Sequence, residues 1–224
     1  METFQRVYQP GFEEVFRKDY FLKGKWGAEV FGNEHPIVLE LGCGRGEYTI
    51  GLAECDPSRN YIGVDIKGAR IWRGAKTANE RDLLNVAFIR TRIEVIGSFF
   101  SPGEIQEIWL TFPDPQLKKR RNKKRLTAPG FLNSYREFLS DGGVVHLKTD
   151  NEQMFLYTSE LVHYNNLEVI AETPDLYNSQ LADESLSIKT HYEKQYLAEG
   201  LPIRYIAFRL KTGMMIREIP GNHA

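Results

Sequence analysis

From residue 37 onward the chain alternates between two apolar patterns. Short runs rich in β-branched or aromatic residues predict strands at Ile37–Leu41, Tyr61–Asp65, Val86–Arg90, Glu107–Phe112 and Gly143–Thr149. Between or after them, Gly46–Ala53, Gly68–Asn79, Pro129–Leu139 and Glu152–Tyr164 carry apolar positions at helical spacing. This alternation predicts right-handed βαβ units: an α/β fold with a mostly parallel, doubly wound sheet covered on both faces. Leu167–Thr173 continues the series, and after a polar stretch Ile203–Leu210 reads as an antiparallel last strand. Residues 1–36 are aromatic-rich and irregular, with Tyr8, Phe12, Tyr20, Trp26 and Phe31 among them. They predict an N-terminal extension packed on, or closing over, a single domain at 37–224.

Composition narrows the class. At 224 residues and 42% hydrophobic, the chain can bury a large core. No apolar run approaches the roughly 20 residues of a membrane span. Glu13, Glu14, Arg17, Lys18 and Asp19 break up any signal pattern at the N-terminus. Cys43 and Cys55 belong to no metal-ligand or redox spacing, which points to a reduced, cytoplasmic chain without zinc or disulfides. His35, His146, His163, His191 and His223 likewise lack metal-ligand spacing and read as structural or exposed.

Charge changes the picture more. With 29 basic and 30 acidic residues the net charge is −1. Seven of the eight residues from Lys118 to Arg125 are cations, and without them 22 basic residues face 30 acidic ones, a net of −8. A mildly acidic globule with one concentrated positive feature suits a local phosphate contact better than wrapping by nucleic acid. Pro113-Asp114-Pro115 leads directly into this run. Each proline fixes its own φ and restricts its predecessor, so Phe112 and Asp114 are expected to be extended. A fixed carboxylate beside a basic track suits chemistry on a polyanion; the plainer alternative is a solvated, charged loop.

A second feature lies upstream. Gly42, Gly44 and Gly46 sit between a predicted strand and helix, where glycine permits a tight turn and close approach of a ligand. Asp65, 19 residues past Gly46, ends the next strand, where a carboxylate can bind ribose hydroxyls. Taken singly, these are also ordinary turn residues. Glu47 stands where a dinucleotide motif needs its last glycine, and Glu40 would repel a pyrophosphate. The same Glu40 suits the ammonium and sulfonium charges of S-adenosylmethionine. Glu40, the glycines, Asp65, Asp114 and Asp150 all fall at or just past strand C-termini, where such sheets bind ligands.

With Glu40-x-Gly-x-Gly-x-Gly, Asp65 and Phe-Pro-Asp-Pro-x-x-Lys-Lys-Arg in one chain, residues 30 to 210 or so resemble the bacterial TrmB-type tRNA (guanine-N7-)-methyltransferases. Lys148-Thr149-Asp150-Asn151 and Lys189-Thr190-His191-Tyr192-Glu193 carry the rest of the likeness. The resemblance implies a class I, Rossmann-like methyltransferase that uses S-adenosyl-L-methionine. It also implies tRNA as partner, with methyl transfer to N7 of a variable-loop guanine, guanosine 46 in tRNA numbering. By motif position, cofactor contacts fall on Glu40, Asp65 and Asp114, beside Gly42, Gly44 and Gly46. Substrate contacts fall on Lys118, Asp150, Thr190 and Glu193. One departure is Arg92, with Glu94 nearby, where the family usually places an acidic or amide residue against adenine.

Guanine N7 carries an in-plane lone pair, so no base need remove a proton, and alignment is the main work. Asp114 is then the candidate catalytic residue, a fixed carboxylate that stabilises the developing purinium. Asp150 and Glu193 would accept from N1–H and the 2-amino group. The alternative for both is a surface salt bridge to Lys148, Lys189 or Lys194. An exocyclic-amine methyltransferase is the nearest competitor, though its usual base-stacking aromatic is replaced here by Gln116. A non-enzymatic RNA-binding module would not need Glu40, the three glycines and Asp65 together. Monomer and homodimer are equally compatible with the sequence.

Overall fold

A computed structural model describes residues 4–220; His223 lies outside the described residues. The strands are β1 (Val7–Tyr8), β2 (Ile37–Leu41), β3 (Asn60–Asp65), β4 (Val86–Arg90), β5 (Ile105–Thr111), β6 (Leu139–Thr149), β7 (Val169–Thr173) and β8 (Arg204–Leu210). The α-helices are α1 (Phe12–Val15), α2 (Glu47–Cys55), α3 (Gly68–Glu80), α4 (Pro129–Tyr135), α5 (Glu152–Tyr164) and α6 (His191–Ala198). All eight strands form one sheet in the order β1-β4-β3-β2-β5-β6-β8-β7. Pairing is parallel as far as β6, while β8 runs antiparallel to both β6 and β7.

Strand periodicity decides the layers. Leu39, Leu41, Ile62, Val64, Ile108 and Leu110 point to one face, against Trp26, Leu132 of α4 and Leu161 of α5. Their sequence neighbours Val38, Tyr61 and Trp109 point to the other, against Tyr48 of α2, Ile71 of α3 and the 176–197 segment. Both faces are buried, so the central strands read as nearly continuous apolar runs. Close packing of helix on sheet depends on Gly46, at φ +70°. A Cβ there would stand 2.7 Å from Cε1 of Phe88 and 3.2 Å from the Gly74 Cα.

Within the aromatic N-terminal stretch, β1 pairs parallel with β4, and the Trp26 indole, wholly buried, donates to Phe99 O at 2.8 Å. The helix expected at Pro129–Leu139 stops at Tyr135. Leu139 already belongs to β6, where it pairs with Ile105 before a register shift at Glu107. His146 is structural: its ring stacks on Trp109 at 3.9 Å and meets Tyr205 Oη at 2.7 Å. No helix among the described residues is long and apolar enough to cross a membrane.

Candidate active site

Strand β2 lies between β3 and β5, so the strand order reverses at its C-terminal end and opens a crevice there. The chain leaving β2 turns through Gly42, Gly44 and Gly46, all at positive φ (82°, 54° and 70°). The amides of Gly42 and Cys43 donate to Val64 O at 2.8 and 3.0 Å, which pins the loop to the end of β3. Asp65 completes the attachment: Oδ2 accepts from Gly44 N at 3.0 Å and Oδ1 from Lys67 N at 2.7 Å. A Cβ on Gly44 would meet nothing within 4 Å, so this stretch of backbone faces open space that a ligand can enter. The glycines and Asp65 are therefore brought together as one structure.

Glu40 is 2% exposed and holds two parts of the crevice together. Its Oε2 accepts from Thr49 N at 2.8 Å and from Thr49 Oγ1, on α2. Its Oε1 accepts from Thr111 Oγ1, the last residue of β5. Burial pushes the carboxyl up to about 7, with these hydrogen bonds opposing and Asp65 adding a smaller upward push. Oε1 has one donor only, so a lone pair remains for a cationic group.

Three residues beyond Thr111 stands Asp114, exposed at the crevice rim. Its Oδ1 accepts from Gln116 N at 2.9 Å, a local turn that fixes the carboxylate. The expected extended Phe112 is not found, for its φ is +48°. The pre-proline clash excludes the right-handed helical region but not this one. Two contacts hold it there: Phe112 N donates to Lys148 O at 2.8 Å, and the ring lies 5.8 Å from that of Tyr196.

The basic run also differs from expectation in one member. Arg125 is 7% exposed, donates from Nε to Pro115 O at 2.9 Å and lies over the Tyr157 ring at 4.6 Å. It clamps the Pro-Asp-Pro corner from beneath. Lys119–Lys124 form a short 3-10 helix, and Lys118, Arg120, Arg121, Lys123 and Lys124 are exposed.

The predicted base-reading residues sit at the same edge of the sheet. Asp150 follows β6 directly and is half-buried. Burial raises its pKa, opposed by its own backbone N–H and by Arg204, whose Nη1 donates to Asp150 O at 2.8 Å. Thr190 is the N-cap of α6, its Oγ1 accepting from Glu193 N at 3.2 Å. Glu193 is wholly buried, as is its ion-pair partner Lys148 at 2.8 Å. The pair is therefore an interior one, unlike the surface pair considered as the alternative. Arg92 lies over the Phe12 ring at 5.5 Å and, with Pro10 and Ile66, lines a cavity of about 370 Å³ beyond the ends of β3 and β4.

Thr49, Thr111, Tyr157 and Tyr177 carry no functional signal in the sequence, and nothing in it separates the clamping Arg125 from the rest of the basic run. One signal was available for Lys148: a cation inside an apolar strand run must find a buried partner.

Comparison with known proteins agrees with this geometry. The family model “Putative methyltransferase” matches residues 34–205. A tRNA (guanine-N(7)-)-methyltransferase of Bacteroides thetaiotaomicron is 51% identical over 97% of this chain and 86% of its own. A protein of the same name from Christiangramia forsetii is 52% identical over 94% of each chain. The crystal structure of the 16S rRNA methyltransferase KamB superposes with a TM-score of 0.63 at 13% identity, over 92% of this chain and 99% of that one, which supports the fold alone. With its glycine loop, buried Glu40 and Pro-Asp-Pro corner at one switch point, and half its residues shared over nearly the whole length, the chain belongs to the tRNA (guanine-N7-)-methyltransferase family.

Proposed function

We propose that this protein transfers the methyl group of S-adenosyl-L-methionine to N7 of a guanosine in the tRNA variable loop, at tRNA position 46, in the cytoplasm. The observation that carries this reading is the position of Asp114. It is an exposed, locally fixed carboxylate three residues past the Glu40–Thr111 bond, and it leads straight into an exposed cationic turn. Methyl-donor site and polyanion contact thus share one rim.

The residues present fit the cofactor. Asp65 retains acceptor capacity for ribose hydroxyls, the Gly44 backbone leaves room beside it, and the free lone pair of Glu40 Oε1 suits an ammonium. The recess lined by Ile66, Phe12 and Arg92 would take the adenine, with flat apolar and guanidinium surfaces in place of a carboxylate or amide. When bound, the cofactor supplies an electrophilic sulfonium methyl.

The protein's own work is alignment and charge stabilisation. Positioning the N7 lone pair in line with the methyl can account for roughly 7–11 kcal/mol of the barrier. Positive charge develops on the purine as the methyl arrives, and Asp114 faces it with fixed negative charge. Lys118 would hold the phosphate beside the target nucleotide, while Asp150, Thr190 and Glu193 would read its Watson–Crick edge, which N7 chemistry leaves free. The test is incubation with methyl-labelled cofactor and unmodified tRNA, followed by nucleoside mapping. Label in N7-methylguanosine at one variable-loop site is expected. Label on an exocyclic amine, or none, refutes the assignment.

A further inference from the structure

Lys148 and Glu193 form the most deeply buried charged cluster among the described residues, and both side chains are wholly enclosed. The Lys148 ammonium donates to Leu186 O at 2.7 Å, Ile188 O at 3.0 Å and Glu193 Oε1 at 2.8 Å. All its N–H groups thus go to one segment, residues 186–193, which lacks a sheet ladder of its own. The Tyr48 ring lies 5.2 Å away and that of Tyr177 5.7 Å, so the cation is enclosed by aromatic faces.

Glu193 is used asymmetrically. Oε1 accepts from both Lys148 and the Tyr177 hydroxyl, the latter at 2.6 Å. Oε2 is buried and has no partner. A buried carboxylate oxygen without a donor is costly, and its persistence beside a substrate-binding segment is explained by a ligand that brings the donor. We infer that Lys148 and Tyr177 are positioning residues for base selection, holding Oε1 of Glu193 so that Oε2 stays a fixed acceptor for the N–H edge of the target purine. This rests on the proposed function above.

The surrounding contacts suit that role. Apart from the Lys148 and Tyr177 contacts to Glu193 and the Thr190 cap, the first turn of α6 is held by exposed contacts, Glu47 Oε2 with His191 N at 2.8 Å and Arg70 with Tyr192 Oη at 3.5 Å. A base reaches Oε2 by shifting this turn while the Lys148 attachment stays in place. The charged and titratable groups around the pair are Tyr48 from α2, Lys148 from β6, and Tyr177, Asp183 and Lys189 from the connecting segment. Burial, then Glu193, pushes the Tyr177 phenol up, so it remains a donor. Lys148 is the cation in direct contact with Glu193.

The experiment measures kcat/KM on tRNA carrying guanosine or inosine at the target position, from about pH 6 to 8.5. Inosine keeps N7 and N1–H but lacks the 2-amino donor. Wild type should prefer guanosine roughly tenfold. In Lys148→Met the uncompensated carboxyl should protonate at neutral pH, so the preference collapses and activity on guanosine climbs as pH rises. Tyr177→Phe keeps the ion pair and should lose the preference in part without acquiring that pH slope. The pair Lys148→Met with Glu193→Gln should recover thermal stability and lack the pH slope of Lys148→Met, because the stranded carboxyl is gone; a slope that persists in the pair does not come from Glu193. Wild-type preference and a flat profile in Lys148→Met overturn the inference. If that variant does not fold, unaltered preference in Tyr177→Phe overturns it. A wild type that makes N7-methylguanosine yet treats inosine equally also overturns it while leaving the proposed reaction standing; absence of N7-methylguanosine refutes the proposed function first.

Discussion

Glu40 should couple cofactor binding to proton release. The buried carboxyl ionises near pH 7 without ligand, against 4.5 in the free side chain. The unfolded chain therefore releases this proton at lower pH than the folded one. Its stabilising contribution is full below about pH 4.5 and is lost as pH rises through 7, a total of roughly 3 kcal/mol. A cationic ligand that needs the carboxylate reverses this bias. About a tenth of Glu40 is ionised at pH 6 and about three quarters at pH 7.5, so affinity for S-adenosylmethionine should improve roughly eightfold between them. Calorimetric titration in buffers of differing ionisation heat should record nearly one proton released per ligand near pH 6. Glu40→Gln cannot titrate and should flatten both signals. It also turns an N–H group toward either Thr49, which offers two donors, or Thr111, at a cost of about 1–3 kcal/mol in stability. Equal wild-type affinity at the two pH values, or an unchanged slope in Glu40→Gln, refutes the reasoning.

Asp114→Ala should lower the single-turnover transfer rate by roughly a hundredfold while leaving tRNA affinity nearly unchanged, since its partner charge exists only during transfer; near-normal chemistry removes Asp114 from the mechanism. Neutralising Arg120, Arg121, Lys123 and Lys124 should reduce the log–log salt slope of tRNA binding by roughly 0.7–0.9 per lost phosphate contact, whereas an unchanged slope makes the run a solvated turn. Arg125→Ala should instead keep the slope and cost about 1–3 kcal/mol of stability, read by thermal unfolding, because it removes the Pro115 hydrogen bond and the Tyr157 contact. Gly46→Ala combines left-handed backbone strain with a 2.7 Å approach to Phe88 and should cost about 2–5 kcal/mol, part of it recovered by Phe88→Leu.

The sequence and the structure agree most closely where local pattern decides the outcome. Ile37–Leu41, Val86–Arg90 and Glu152–Tyr164 have the bounds that apolar periodicity indicates, and the antiparallel last strand is present. Agreement fails where a distant partner decides. Leu139 looks like the end of a helix until Ile105 pairs with it. Phe112 looks extended because proline follows it, yet the Lys148 carbonyl and the Tyr196 ring hold it in the left-handed region. Arg125 is indistinguishable in sequence from the six cations before it; only the Pro115 carbonyl and the Tyr157 ring withdraw it from the surface.

The same distinction explains what the candidate site demands of the fold. Several groups proposed to meet a ligand directly lie at or just past a strand end or at a helix cap, and such places can be read from spacing: Gly44, Asp65, Asp114, Asp150 and Thr190. Glu40 and Glu193 lie inside β2 and α6 and are buried. The groups that fix those positions come from elsewhere in the chain. Thr111 reaches Glu40 across 71 residues, and Lys148 reaches Leu186, Ile188 and Glu193 across 38 to 45. A hydroxyl or ammonium enclosed this way is tolerated only because its hydrogen bonds are made. It therefore ties one loop to one strand end in a single geometry. Methyl transfer to a lone pair asks mainly for alignment, so the residues that set alignment matter as much as those that touch the base. In this fold they lie in the core, one step behind the rim that the sequence displays.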